Sequence, residues 1–313
     1  MSDSVCVAVD ACCDLPYEFL SRNNIRILPF YTRFGDKVLI DDRDPGKTLD
    51  FYKQGMLAKS FDAESTPVSA QEMSNILEKE LVLNFDKVLA ITMMSSRSKF
   101  YENIREAVWV SQPKFKELRS AQGLERRFRI MMMDSNNLFT GPGVLVYEAV
   151  RLLKEENASI EHVMLKLEPL TRRVRTFILP QDLFHLKNRA GNRGEKSDKS
   201  LNWFTYQVGK TMNIKPIIQG YQGETQAVDK VFGFTSGLEK IFGNAIKAID
   251  DGLGINAVTM SYAGALSEIQ KEHAYQEFVT YAKERGVPTF LAMMSTTAAI
   301  NVGPGCFVLS YTE

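Results

Sequence analysis

Short apolar runs of strand length alternate with longer stretches of helical periodicity along this chain. Residues 5–10 (VCVAVD) form a continuous apolar run closing on Asp10, and residues 25–28, 87–94 and 128–134 repeat the type. Between most of them the period changes to 3.6. A helix is predicted after Leu15-Pro16, a short one over residues 50–58, and another from Ser69 to about Val82. Ser69 and Glu72 make the capping box of that third helix. Phe100, Ile104, Ala107 and Val108 share one face of a fourth. Pro29 ends or edges the second strand, and residues 31–44 read as a hairpin-like excursion turning at Phe34-Gly35-Asp36-Lys37. Buried strands separated by helices predict a parallel, helix-covered sheet.

The pattern changes after the middle of the chain. Thr140-Gly-Pro-Gly143 opens a helix with Pro142 in its first turn, where a missing N–H costs nothing, and Ser159 caps the next one. Residues 174–179 read as a strand, and residues 215–219 and 226–232 as a hairpin about Gln222-Gly223. Ser236-Gly-Leu-Glu239 reads as a second capping box, for a helix ending near Gly252-Leu-Gly254. Strands at 255–262 and 288–293 flank a helix ending at Gly286. Asn301 to Gly305 (NVGPG) reads as a backbone-exposing loop before a last strand at 306–311. The expected fold is therefore α/β in two domains. Residues 1–158 would hold the parallel sheet and residues 159–313 a second α/β domain with a mixed or antiparallel sheet.

Composition narrows the function classes. Of 313 residues 44% are apolar and 24% charged, as in an ordinary soluble globular chain, and a cytoplasmic location is expected. Lys plus Arg (38) equals Asp plus Glu (38), so no overall field favours nucleic acid or an anionic membrane. The basic loop with Lys187, Arg189, Arg193 and Lys196 also holds Glu195 and Asp198 and no stacking aromatic, which suits a solvated loop. No apolar run approaches the ~18 residues of a membrane span. The four cysteines, Cys6, Cys12, Cys13 and Cys306, lack CxxC spacing and read as reduced thiols. No nucleotide fingerprint is present; position 146, where GxGxxG needs a third glycine, is Val146.

In parallel sheets ligands sit beyond the carboxyl ends of the strands. Asp10, Ser95 with Ser96, and Asp134 with Ser135 all fall there. Hydroxyls of Ser95, Ser96 and Ser98 beside the first N–H groups of a helix suit a carboxylate or phosphate; one of these serines as a helix cap is the plainer reading. Ser65 and Thr66 lie upstream of the cap at Ser69 and have no local role. Asp10 and Asp134 suit either turn capping at strand ends, the preferred reading, or a metal or general base. His162, His185 and His273 read as surface or packing residues, and Cys12-Cys13 has no base in view. Methionine clusters at 93–94, 131–133 and 293–294 fill core, or line a pliable apolar pocket for a chain-like ligand.

Six segments in order carry a resemblance over almost the whole chain. VDACCDLP resembles D-S-x-C-D-L-P, STPVSAQEM resembles T-S-x-P-S, and the stretch from Ile91 resembles I-S-S-x-L-S-G-T-Y. MDSNNLFTGPG, NIKPIIQGYQGET and NVGPG are similar to D-S-x-x-x-S-x-G-x-G, N-I-K-P-I-L and H-T-G-P-G. These are the motifs of the DegV family, bacterial fatty-acid-binding proteins that serve fatty acid kinase. The resemblance implies two domains with a long-chain fatty acid in a tunnel between them. Its carboxylate would meet Ser65 with Thr66, Ser95 with Ser96, and Asn301. The protein would make no bond and need no cofactor; it would present the carboxylate to a separate ATP-dependent fatty acid kinase for acyl-phosphate formation. Hydroxyls and N–H groups would hold the head group without a fixed positive charge. Three positions depart from the pattern. Asn301 replaces the histidine and cannot become cationic. Lys99, followed by Phe100, replaces the glycine of S-G-T-Y. Phe232 replaces an arginine suited to partner docking. Two alternatives stand beside this reading: a metal-dependent phosphotransfer or hydrolytic enzyme using Asp10 and Asp134, and a diverged member, its pocket blocked, that acts through protein contacts.

Overall fold

A computed structural model describes residues 3–57, 63–186 and 213–313. The first strand, β1 (Val5–Asp10), is buried almost throughout, as its unbroken apolar run demands. It is followed by α1 (Tyr17–Arg22), β2 (Arg26–Leu28), and the hairpin β3 (Phe30–Phe34) and β4 (Lys37–Asp41). Then come α2 (Pro45–Lys53), β5 (Glu64–Pro67) and α3 (Ala70–Leu77), the last running on into one π-helical turn. The chain continues through β6 (Lys87–Thr92), α4 (Phe100–Ala121), β7 (Arg129–Asp134), α5 (Gly141–Glu155) and α6 (Ile160–Leu167). Strands β2-β1-β6-β7 form the expected parallel sheet, with Val7 opposite Leu89 and Leu89 opposite Met131.

Strands β8 (Val174–Leu179), β9 (Ile214–Tyr221) and β10 (Glu224–Phe232) open the second sheet. After α7 (Phe234–Asp251) come β11 (Val258–Tyr262), α8 (Leu266–Gln270), α9 (His273–Glu284), β12 (Thr289–Met293), α10 (Thr296–Val302) and β13 (Phe307–Thr312). The sheet order is β10-β9-β8-β13-β11-β12, and only β11 and β12 run parallel. The fold is α/β with one parallel and one mixed sheet.

Five local expectations change. The helix expected at 50–58 is α2, starting five residues earlier: Asp44 caps it by accepting the Lys47 N–H, and Pro45 takes the first helical position. Ser65 and Thr66 lie on a strand, β5, paired to β3 with Ser65 opposite Thr32 and Thr66 opposite Tyr31. Together β4-β3-β5 make a small antiparallel sheet. Ser236 caps nothing, because α7 begins at Phe234 from Gly233. At φ +83° and ψ 165° Gly233 occupies a region essentially closed to other residues, so the helix starts where glycine permits rather than at the hydroxyl. The helix expected before Gly286 is two, α8 and α9. Asn301 belongs to α10, capped by Ser295 through the Ala298 N–H, and the loop begins only at Gly303. The basic loop from Lys187 lies outside the described residues.

The two sheets share packing. Helix α5 touches β1 and β6 of the parallel sheet and β8, β11 and β13 of the mixed one. One apolar cluster runs from Val9 and Ile91 through Val144 and Leu145 to Val174 and Ile255. A chain of buried hydroxyls, Thr140 to Ser310 to Thr176, pins the start of α5 to the mixed sheet at 2.5 and 2.6 Å. The proposed boundary near residue 158 thus falls in the connection between α5 and α6, past a helix that both sheets hold.

Candidate functional site

A cavity of about 700 Å³ opens where the two sheets and the small sheet meet. Strand β5 contributes Ser65, Thr66 and Pro67, and the segment from β6 into α4 contributes Met93, Met94, Arg97, Ser98 and Lys99. Leu138, Phe139, Ile178 and Ile218 supply apolar wall, with Ala298 and Val302 from α10. Asn103, Glu106, Thr225, Thr297 and Asn301 add polar groups.

Of the five residues expected at a head group, Ser65, Thr66 and Asn301 line this cavity. Asn301 Nδ2 donates to the Thr297 carbonyl at 2.7 Å and reaches Ser65 Oγ at 3.4 Å, linking α10 to β5. Ser95 and Ser96 are not on the wall. The Arg97 N–H closes a turn on the Met94 carbonyl, and this turn carries both serines past the cavity. Ser96 Oγ instead donates to the Gly223 carbonyl in the β9–β10 turn at 2.6 Å, and the Ser95 N–H donates to Asp134 Oδ2 at 3.1 Å. Of the three serines Ser98 makes the helix-end bond, accepting the Phe100 N–H, and it also lines the cavity. The sequence reading missed Arg97, whose Nη2 donates to Thr225 Oγ1 of β10 at 2.6 Å. Its signal was present, a cation set between the serines of the motif.

Both strand-end acids act as turn caps. Asp10 accepts the N–H groups of Cys12 and Met93, and Asp134 those of Ser95 and Asn136. Because Cys12 and Met93 both line the cavity, Asp10 shapes its wall from behind. Among the described residues no three His, Cys, Asp or Glu side chains are grouped to hold a metal. Burial pushes the thiols of Cys12, Cys13 and Cys306 well up, with nearby acids adding to it, which disfavours a thiolate nucleophile here.

Burial also pushes the Asp10 carboxyl up to about 7, against its two N–H partners and with help from Asp14 and Asp41. A carboxyl whose folded value lies above its unfolded value of about 3.9 favours folding most at low pH. Its contribution falls as pH rises from about 4 to about 7 and is flat above. The difference in urea stability between the native chain and Asp10→Asn is therefore expected to shrink from pH 5 to pH 7 and then level. A difference constant across that range would show that Asp10 titrates normally.

Among the described residues no helix is long and apolar enough to cross a membrane. The chain resembles a DegV domain-containing protein of Xanthomonas axonopodis pv. citri at 32% identity, covering 97% of this chain and 96% of that one. A DegV domain-containing protein of Xanthomonas campestris pv. campestris matches at the same identity and coverage. Among solved structures, DegV from Bacillus subtilis, described as a fatty acid binding protein, superposes with a TM-score of 0.73 at 16% identity over 100% of both chains. A stearic-acid-binding protein from Eubacterium ventriosum superposes with a TM-score of 0.70 at 19% identity, over 98% of this chain and 97% of that one. At such identities these structures establish the shared fold. The family model described as "Uncharacterised protein, DegV family COG1307" matches residues 4–313, and on that match, with the fold and the relatives agreeing, the chain belongs to the DegV family.

Proposed function

We propose that the protein binds a long-chain fatty acid and presents its carboxylate to a separate ATP-dependent kinase, without bond-making chemistry of its own. The cavity is the observation that carries this. Its volume lies within the ~300–1,000 Å³ of small-molecule sites, and apolar side chains from both sheets and α10 line much of it. Ser65, Thr66 and Asn301 are hydrogen-bonding groups on the same wall, and a buried carboxylate needs such partners. We assign the head group to these three rather than to Ser95 and Ser96. The kinase step rests on the family resemblance.

Native mass spectrometry of the protein as purified, followed by denaturing lipid extraction, tests the reading. One long-chain fatty acid per chain is expected. A protein that arrives empty and takes up no added fatty acid would overturn the proposal and favour the diverged member acting through protein contacts.

A further inference from the structure

Phe139, just before α5, has φ +54°, a backbone that a large aromatic residue rarely adopts. Seven non-glycine residues among those described share this left-handed region; four are asparagines, and Phe139 alone is apolar. Glycine or asparagine would take the conformation at less cost, so the backbone does not account for a phenylalanine here.

The surroundings hold the conformation in place. The Met94 N–H donates to the Asn137 carbonyl at 2.7 Å, the Gly141 N–H to the Leu138 carbonyl at 3.0 Å, and the Asp14 N–H to the Phe139 carbonyl at 3.0 Å. Asn137 Nδ2 donates to the carbonyls of Val174 and Gly220 at 3.0 and 3.3 Å, on two strands of the mixed sheet. A Cβ on Gly141 would come within 2.6 Å of the Asn137 side chain, so the turn closes only over a glycine. Three successive carbonyls and one side chain thus fix the direction that residue 139 takes. Strain of this kind persists where the structure over-determines it, and it clusters where ligands are held.

The fixed direction sets a ring against the cavity. Phe139 lines it, is buried, and belongs to one apolar cluster with Met94, Ile178, Ile218, Ala298 and Val302, which line it too. Its position falls on the second serine of D-S-x-x-x-S-x-G-x-G, so the ring fills space that a serine would leave open. We infer that Phe139 limits the length of acyl chain that this cavity takes. The inference rests on the fatty-acid reading and names a residue that sets its substrate range.

Affinities of straight-chain acids from octanoate to octadecanoate, measured on the full chain, test it. In the native protein affinity is expected to rise with chain length and then level. Phe139→Gly suits the backbone and removes the ring, and it is expected to carry the rise at least two methylenes further. An acid two methylenes past the native plateau should then bind the variant about 15-fold more tightly than it binds the native chain. Octanoate is expected to bind both equally, which shows that the variant is folded. Phe139→Leu keeps an apolar side chain of shorter reach and is expected to move the plateau the same way by a smaller step; it carries the test if the glycine variant does not fold. A plateau at the native length in Phe139→Leu and in folded Phe139→Gly, even with affinity lowered equally for every acid, makes Phe139 a packing residue only. That result overturns the inference and leaves the lipid reading standing. A native protein that binds none of the acids overturns both.

Discussion

Arg43→Met is expected to lower the stability of the fold by about 3–5 kcal/mol, the cost of breaking a buried ion pair from one side. Arg43 and Asp14 are 7% and 0% exposed, and their contact measures 3.0 Å. The guanidinium also donates to the carbonyls of Leu15 at 3.2 Å and Met293 at 3.1 Å, while Asp14 Oδ1 accepts the Ser295 N–H at 2.9 Å. One ion pair thus ties the β1–α1 loop, the segment after β4, and the end of β12 where α10 begins. Arg43 reaches these partners from a left-handed backbone, φ +61°, which a non-glycine residue adopts at a cost. Burial raises the Asp14 carboxyl and Arg43 is the largest influence opposing it, so removing the cation leaves a charge the site cannot solvate.

Thermal unfolding should show a fall on the order of 10 °C for a chain of this size. The pair is imperfectly satisfied: Arg43 Nε has no partner, and Asp14 Oδ2 and the Ser261 hydroxyl face each other without an ordinary hydrogen bond. Replacing both charges, Arg43→Met with Asp14→Leu, is therefore expected to recover most of the loss, since well-packed apolar pairs often match buried ion pairs. A single variant that loses under about 1 kcal/mol would place the pair with surface salt bridges and remove it as the tie between these loops.

This tie was invisible in the sequence because its members are far apart in the chain and each carries an ordinary local signal. The parallel sheet was legible for the opposite reason. Strands buried on both faces read as unbroken apolar runs, and β1, β6 and β7 fall within two residues of the expected spans. Ser69 was legible because a capping box is local, and the structure contains both of its hydrogen bonds. The same reasoning failed at Ser236, where the backbone of Gly233 sets the helix start. It failed again at α10, whose short TTAAINV run is poor in strong helix formers and is read as helix only once Ser295 is seen as its cap. At the site, Ser65, Thr66 and Asn301 reach the wall through pairings across the fold, β5 on β3 and α10 on β5, that the family motifs encode and periodicity does not. Ser95, Ser96 and Arg97 show the limit of motif transfer. One tight turn decides which of three adjacent side chains faces the cavity, and a segment one residue shorter than the family pattern can change that choice.

Affinity for straight-chain acids is expected to rise about fourfold with each added methylene, because burying a CH₂ contributes about 0.8 kcal/mol. Dodecanoate should then bind roughly 200-fold more tightly than octanoate, a difference of about 3 kcal/mol. The rise should stop at the length that fills the cavity, since further methylenes return to water. Ala298 supplies a test of where the tail lies. It is buried on α10 at the cavity wall, opposite no charged group of its own helix, and a larger side chain there must project into the space. Ala298→Leu is expected to leave octanoate nearly unchanged and to bring the plateau to a shorter acid. A slope below about 2-fold per methylene would mean that the tail lies on the surface, where half its area or more stays wet. A full slope with an unmoved plateau in Ala298→Leu would keep the lipid but route its tail away from α10. In both cases the head-group contact at Asn301 would have to be reassigned, because Asn301 reaches the cavity from that same helix.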